Sequence, residues 1–300
     1  MTAAPREHAS GFTTLVGRPN VGKSTLVNAL VGAKVAIVSA RPQTTRTTVR
    51  GVLTTDHSQV VFVDTPGIHK PRTLLGERTN ERALSTLREV DVVCLVIDAT
   101  ASIGPGDRYV AGLVHQASTP RLLVVTKTDR AKPGPIAAQL ATAAAELGDF
   151  DAFVPVSGKT GDGVNILRRE LDARMPEGPR YYPGGVVTDQ PETTLAAELL
   201  REKLLATARD ELPHSIAVTV EEGEDARDDG AWRLRAVVRV ERDSQKGIVI
   251  GRGGLALRDA GTAARQELEA LLGAPVHLTT RVVVDRDWQR RAPALDRLGL

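Results

Sequence analysis

Eight consecutive residues carry the most specific chemistry in the chain: Gly17-Arg18-Pro19-Asn20-Val21-Gly22-Lys23-Ser24, a glycine, four free positions, then Gly-Lys-Ser. A loop that wraps phosphates must turn its N–H groups inward, and glycine is needed where a Cβ would block that approach. Lys23 would reach the β- and γ-phosphates of a nucleotide and Ser24 would offer its hydroxyl to Mg2+, with Thr25 closing the nucleotide-binding stretch. A glycine-rich turn capping a helix is the plain alternative. The context speaks against it, because an apolar run, Phe12 to Val16, precedes the loop and apolar residues at helical spacing follow it from Thr25 to Leu30.

Four further groups gain meaning beside that loop. Asp64-Thr65-Pro66-Gly67 ends an apolar run, where Asp64 would hold Mg2+ through water and the Gly67 N–H would meet the γ-phosphate; alone it is a common turn. In the polar stretch before it, Thr44-Thr45 offers a hydroxyl that could complete the Mg2+ shell when a γ-phosphate is present, and Thr45 is the favoured member. Phosphoryl transfer would then rest on Lys23, Thr45, Asp64 and Gly67. Thr126-Lys127-Thr128-Asp129 follows another apolar run. There Asp129 could accept two hydrogen bonds from the N1–H and amino group of guanine, which adenine cannot supply, while Lys127 lays its stem along the base. In Ser157-Gly158 the Gly158 N–H would face the guanine oxygen, a weak signal by itself. Near the other end, Gly251-Arg252-Gly253-Gly254 joins two helical segments; glycines there would let a phosphate backbone approach the main chain, and a helix linker is the plain reading.

Positioning these groups requires strands that end where the motifs begin. Strands are expected at Phe12–Val16, Thr48–Thr54, Gln59–Val63, Val92–Asp98, Leu122–Thr126 and Ala152–Val156. Helices are expected after the phosphate loop and near Arg78–Arg88, Gly106–Gln116, Ile136–Leu147 and Gly163–Ala173. Near-continuous Val/Leu/Ile strands alternating with helices predict a parallel sheet covered on both faces, with one antiparallel edge strand from the early hairpin around Asp56-His57-Ser58. Val38–Arg46 has no periodicity and is expected as a loop. The Pro- and Gly-rich stretch from Met175 to Gly185 marks a boundary, giving a first domain over 1–175, a linker over 176–190 and a second domain over 191–300. The second domain is expected as a helix from Thr194 to Asp210, strands Ile216–Glu221 and Ala231–Glu241, helical segments Gln245–Ile250 and Leu255–Leu272, and a strand Val276–Asp285. Its opening acidic turn, Glu221-Glu222-Gly223-Glu224-Asp225, reads as a solvated loop.

The 300 residues suit two domains, and a net charge of +2 permits an acidic partner such as RNA without demanding one. Arg239, Arg242, Lys246, Arg252, Arg258 and Arg265 supply positive charge around the glycine loop, and read equally as solvated helix faces. Cys94, the one cysteine, lies within an apolar strand and is expected buried and inert. His214 and His277 have no partners at metal-ligand spacing. No apolar run approaches a membrane span and the first residues lack a signal-peptide core, so a cytoplasmic chain is expected.

In this order and spacing, the five first-domain elements resemble the guanine-nucleotide signature of the translation-factor-related GTPases. The second domain resembles a type II KH domain, whose GxxG loop clamps single-stranded nucleic acid. Together, and with Gln43-Thr44-Thr45-Arg46, Asp189-Gln190-Pro191-Glu192, Arg201-Glu202-Lys203 and Gly247-Ile248-Val249-Ile250-Gly251, they resemble the Era family of bacterial GTPases over nearly the whole chain. The fold implied is α/β, a P-loop GTPase followed by an α+β type II KH domain. The resemblance implies GTP/GDP and Mg2+ as ligands and K+ held with the help of Asn20. It further implies binding of the 3′ end of small-subunit ribosomal RNA through Gly251, Arg252, Gly253 and Gly254, and a monomer that assists 30S assembly, with peripheral contact at the inner face of the membrane. Three positions depart from the wider pattern. Thr126 stands where asparagine is usual, which would weaken guanine binding; Gly158 stands where alanine is usual; Ile68 stands where Ras-like proteins place the glutamine that orients water. Slow hydrolysis aided by another group or a cation is therefore expected, against a rival in which GTP only regulates RNA binding and turnover is negligible. A metabolic P-loop kinase is the third class, and Asp129 speaks against it.

Overall fold

The computed structural model of the chain describes residues 8–39, 45–46, 48–71, 73–207, 215–222 and 230–300. Gln43, Thr44, the expected helix end at Asp210, His214 and the Gly223-Glu224-Asp225 part of the acidic turn lie outside the described residues. Two compact units are present, with the main division between Asp189 and Gln190.

The first unit runs β1 (Ala9–Val16), α1 (Lys23–Val31), β2 (Val49–Thr54), β3 (Ser58–Asp64), α2 (Leu74–Thr86), β4 (Val92–Asp98), α3 (Pro105–Val114), β5 (Arg121–Thr126), α4 (Pro133–Leu147), β6 (Ala152–Pro155) and α5 (Val164–Asp172). Its sheet has the order β2-β3-β1-β4-β5-β6, with every neighbouring pair parallel except the expected antiparallel β2–β3 hairpin. Because side chains alternate across a strand, one apolar run can feed two cores. Val92, Cys94 and Val96 of β4 point into the core shared with α1 and α5, while Val93, Leu95 and Ile97 point into the opposite core. Leu122 and Val124 of β5 likewise join the first, and Leu123 and Val125 the second. Burial pushes the Cys94 thiol up to about 12, which makes it inert as expected. Helix α2 starts a turn earlier than its apolar pattern suggests.

This topology decides where chemistry can happen. Strand β1 lies between β3 and β4, so the chain crosses to the other side of the sheet there, and the crevice beyond the carboxyl ends of the strands is where open α/β sheets bind ligands. Gly17, Thr65, Lys127 and Ser157 each follow the carboxyl end of a strand.

Residues 176–189, expected as a linker, are laid along the first unit by specific bonds. Fully buried Gln59 acts as a surrogate strand: its Oε1 accepts the N–H groups of Tyr181 at 2.7 Å and Tyr182 at 2.9 Å, and its Nε2 donates to the Tyr182 carbonyl at 2.9 Å. Val52 N donates to the Val187 carbonyl at 2.8 Å, and Arg50 pairs with Asp189 at 3.0 Å. Proline and glycine keep this stretch from forming a regular strand, and the Gln59 amide together with isolated main-chain bonds such as Val52 N to the Val187 carbonyl satisfy its backbone instead.

The second unit comprises α6 (Glu192–Thr207), β7 (Ala217–Glu222), β8 (Trp232–Val240), α7 (Asp243–Ile250), α8 (Leu255–Leu272), β9 (Val276–Val284) and α9 (Ala292–Arg297). Its sheet has the order β7-β8-β9, antiparallel then parallel. One face of β8, through Ala236, Val238 and Val240, packs against Leu200 and Leu204 of α6, Val249 of α7 and Ala260 and Ala264 of α8. Helix α9 has no counterpart among the expected elements; Pro293 lies in its first turn, and buried Trp288 anchors the approach by donating Nε1–H to the Ser215 carbonyl at 3.0 Å.

Candidate functional site

Between β1 and α1 the loop curls so that Asn20 and Gly22 both take left-handed backbone, with φ of 65° and 101°. Only a residue without a Cβ adopts the second value without strain, and at Gly17 a Cβ would lie 2.4 Å from the Val96 carbonyl oxygen. Val21 is buried in the core, which pins the loop from below. Pro19 lies beside Gly67, where a Cβ would come within 2.9 Å of the Pro19 nitrogen and 3.2 Å of Lys23 Nζ. Gly67 is thus brought next to the lysine. Lys23 is buried at the start of α1 and donates Nζ–H to the carbonyls of Gly17 at 3.2 Å and Arg18 at 2.9 Å. Burial lowers its pKa to about 8, with the Asp64 charge pulling the other way.

Three oxygens meet behind the loop. Ser24 and Thr45 both donate to Asp64 Oδ2, at 2.9 and 3.1 Å, and their hydroxyls lie 3.1 Å apart. Burial pushes the Asp64 carboxyl above its ordinary pKa, against the pull of Lys23 and the two hydroxyl bonds. Asp64 Oδ1 and Thr65 Oγ1 are buried and have no hydrogen-bond partner among the described residues. Two hydroxyls and a carboxylate are the hard-oxygen set that suits Mg2+, and orphaned polar atoms beside them fit a site completed by a further polar group. No cluster of three His, Cys, Asp or Glu side chains that could hold a metal occurs among the described residues.

Ile68 turns away from this centre into the apolar core with Val16, Val63 and Leu95. His69, which the sequence did not single out, holds Gly67 and α2 together. Its Nδ1 lies 2.9 Å from the Gly67 carbonyl, and its backbone exchanges two hydrogen bonds with the Asn80 amide.

The residues expected to read the base gather beyond β5 and β6. Asp129 lies on a short 3-10 turn, Thr128–Arg130, and Ser157 donates to its Oδ1 at 2.8 Å, fixing the carboxylate plane. Lys127 takes left-handed backbone, φ 59°, which swings its Nζ to the Asn20 carbonyl and to Asp98 Oδ2, both at 2.7 Å. Thr126, buried, bonds the carbonyls of Val21 and, at 2.9 Å, Ile97. A hydroxyl has one hydrogen and serves one of these at a time, where an amide could serve both. Gly158 packs on the start of α1, where a Cβ would lie 3.1 Å from Leu26 Cα. Thr25 is half-buried in the first turn of α1.

In the second unit, α7 ends at Gly251 and α8 begins after Gly254, with Arg252–Gly254 forming a 3-10 turn. Gly251, Gly253 and Gly254 have φ of 74°, 59° and 78°, and a Cβ on Gly253 or Gly254 would meet nothing within 4 Å. The turn therefore presents exposed main chain with Arg252 projecting from it. Ile248 and Leu255, 59% and 45% exposed, flank it and could support nucleobases. The sequence missed both because each fits the apolar pattern of its helix. Arg265 is committed to Glu269 at 2.6 Å, so the basic residues around the loop are not equivalent.

Residues 12–127 match the family model of the 50S ribosome-binding GTPases, and residues 211–289 match the KH domain. GTPase Era of Mycobacterium sp. strain JLS is 50% identical over 296 residues, covering 98% of this chain and 99% of that protein. GTPase Era of Mycobacterium avium is 51% identical over the same length, with the same coverage. Among solved structures, a single-residue variant of Aquifex aeolicus Era bound to GDP and aluminium fluoride superposes with a TM-score of 0.92 at 35% identity, covering 97% of this chain and 99% of that one. Era in complex with MgGDPNP and nucleotides 1506–1542 of 16S ribosomal RNA superposes with a TM-score of 0.93 at the same identity and coverage. With a GTPase family model and a KH domain matched in succession on one chain, and half of its residues identical to those relatives end to end, the chain belongs to the Era family of GTPases.

Proposed function

We propose that this GTPase is a slow GTP-hydrolysing switch whose nucleotide state governs binding of the 3′ end of small-subunit ribosomal RNA, and that it assists 30S assembly in this way. The meeting of Ser24, Thr45 and Asp64 behind Lys23 supports the nucleotide half. In this reading Gly17 to Thr25 cradle the phosphates, Asp129 and Gly158 read guanine, and Thr126 and Lys127 hold the phosphate loop against the base site. Ser24, Thr45 and Asp64 would hold Mg2+, which when bound neutralises charge developing on the phosphates. Lys23 adds its own charge, and the Gly67 N–H meets the γ-phosphate. Ile68, buried in the core, supplies nothing to the attacking water. Asn20, on the exposed crest of the loop, helps hold K+ as a compensating charge.

For the RNA half, the open turn of left-handed glycines between exposed Ile248 and Leu255 carries the reading, and a relative solved with nucleotides 1506–1542 of 16S ribosomal RNA supports that choice of ligand. The chain would act as a cytoplasmic monomer, with any membrane contact peripheral; no helix among the described residues is long and apolar enough to cross a membrane. Arg252→Asp with Gly253→Asp tests this. Two carboxylates would face RNA phosphates; at Gly253 the space is open, and aspartate is among the few side chains that enter its left-handed backbone, φ 59°, at modest strain, so circular dichroism accompanies the binding assay. Gel shift with a 16S 3′-end fragment should show binding lost, while GTP affinity and basal phosphate release persist. Full RNA affinity in a folded double variant would reduce the turn to a helix linker.

A further inference from the structure

Arg18, the second residue of the phosphate loop, sends its guanidinium out of the loop to α3. Its Nε donates to Asp107 Oδ1 at 2.7 Å, and the other oxygen of Asp107 accepts the Gly104 N–H at 2.9 Å, closing the first turn of α3. The Asp107 side chain is 2% exposed and that of Arg18 is 34% exposed. The arginine stem runs over Gly106, where a Cβ would lie 2.7 Å from Arg18 Cδ, so α3 leaves a groove for it. A carboxylate buried to this degree is costly unless both oxygens are engaged, and Arg18 provides its charged partner. On the main-chain side, the Arg18 carbonyl accepts the hydrogen bond from Lys23 Nζ at 2.9 Å. One residue is thus fixed to α3 by its side chain while its carbonyl receives the lysine.

We propose that Asp107 is a positioning residue for the phosphate loop: through Arg18 it holds the loop in the shape that takes and keeps the nucleotide phosphates. The helix cap alone needs one carboxylate oxygen; the second is spent on the loop. Arg18 and Asp107 lie 89 positions apart in sequence, so α3 becomes part of the nucleotide site without touching nucleotide. The inference rests on Gly17–Ser24 being the phosphate loop.

Release of fluorescent GDP, followed by stopped flow with thermal melting alongside, tests it in four variants. Arg18→Met keeps the stem and removes the donor. Asp107→Asn keeps an acceptor for Gly104 but turns an N–H toward the guanidinium. Each should speed GDP release about tenfold, and the two together should also give about tenfold rather than about a hundredfold, since they break one interaction. Arg18→Gln places an amide N–H where Arg18 Nε stood, and should stay within about threefold of the parent chain. Parental release rates in Arg18→Met, or equal acceleration in Arg18→Met and Arg18→Gln, would overturn the proposal. A lower melting temperature in Asp107→Asn with unchanged release would leave Asp107 as a helix cap only. Should Asp107→Asn not fold, the Arg18 pair carries the test, because that side chain is partly exposed. Lys23→Ala separates the two levels: unchanged GDP affinity there would remove the phosphate-loop assignment itself, and this proposal with it.

Discussion

Replacing Ser157 by alanine removes a hydroxyl that serves the proposed nucleotide site through Asp129 and should weaken guanine binding. Ser157 is fully buried; its hydroxyl donates to Asp129 Oδ1 at 2.8 Å and accepts the N–H groups of Thr160 at 3.1 Å and Lys159 at 3.3 Å. Lys159 and Thr160 are exposed, so their N–H groups can turn to water and the loop loses little. Asp129 instead loses a hydrogen bond to a charged group, worth about 1.5–3 kcal/mol, and with it the fixed plane from which two parallel bonds to guanine could be accepted. Ser157→Ala should therefore bind GDP about 10- to 150-fold more weakly. The loss should depend on the Asp129 charge, falling below about fivefold in an Asp129→Asn background because a neutral hydrogen bond contributes about 1 kcal/mol. Titration of fluorescent GDP into the parent chain, both single variants and the double variant gives the cycle, and urea melts report folding. Retained GDP affinity in Ser157→Ala, or the same loss in both backgrounds, would show that Ser157 does not act through Asp129.

Two further outcomes follow from the site and the core. Hydrolysis should run faster in KCl than in NaCl at equal ionic strength, and Asn20→Ala should erase the difference; a parent rate indifferent to the cation would leave RNA or another protein as the missing activator. Cys94, buried in β4 with its pKa pushed up to about 12, should resist iodoacetamide in the folded chain and react at the rate of global unfolding. Rapid labelling of native protein would mean that β4 is not the closed core strand described.

The sequence alone determined what depends on neighbours along the chain. The phosphate loop reads from eight adjacent residues because the turn, the lysine and the helix start are all local. The parallel sheet reads from β4 and β5 because burial on both faces leaves Val92–Ile97 and Leu122–Val125 as unbroken apolar runs. Helix α9 was illegible for the converse reason: six residues with little apolar pattern form a helix because Trp288 and Leu295 close a small core. Only tertiary structure could decide which polar groups meet across long separations. Thr45 beside Asp64, Lys127 bridging the Asn20 carbonyl to Asp98, Gln59 bonding Tyr182 and Asp107 holding Arg18 involve residues 19 to 123 positions apart. Polar side chains carry no periodic signal, and a carboxylate on an exposed turn has the same local pattern as one buried against an arginine. Only the packing that removes it from water tells them apart.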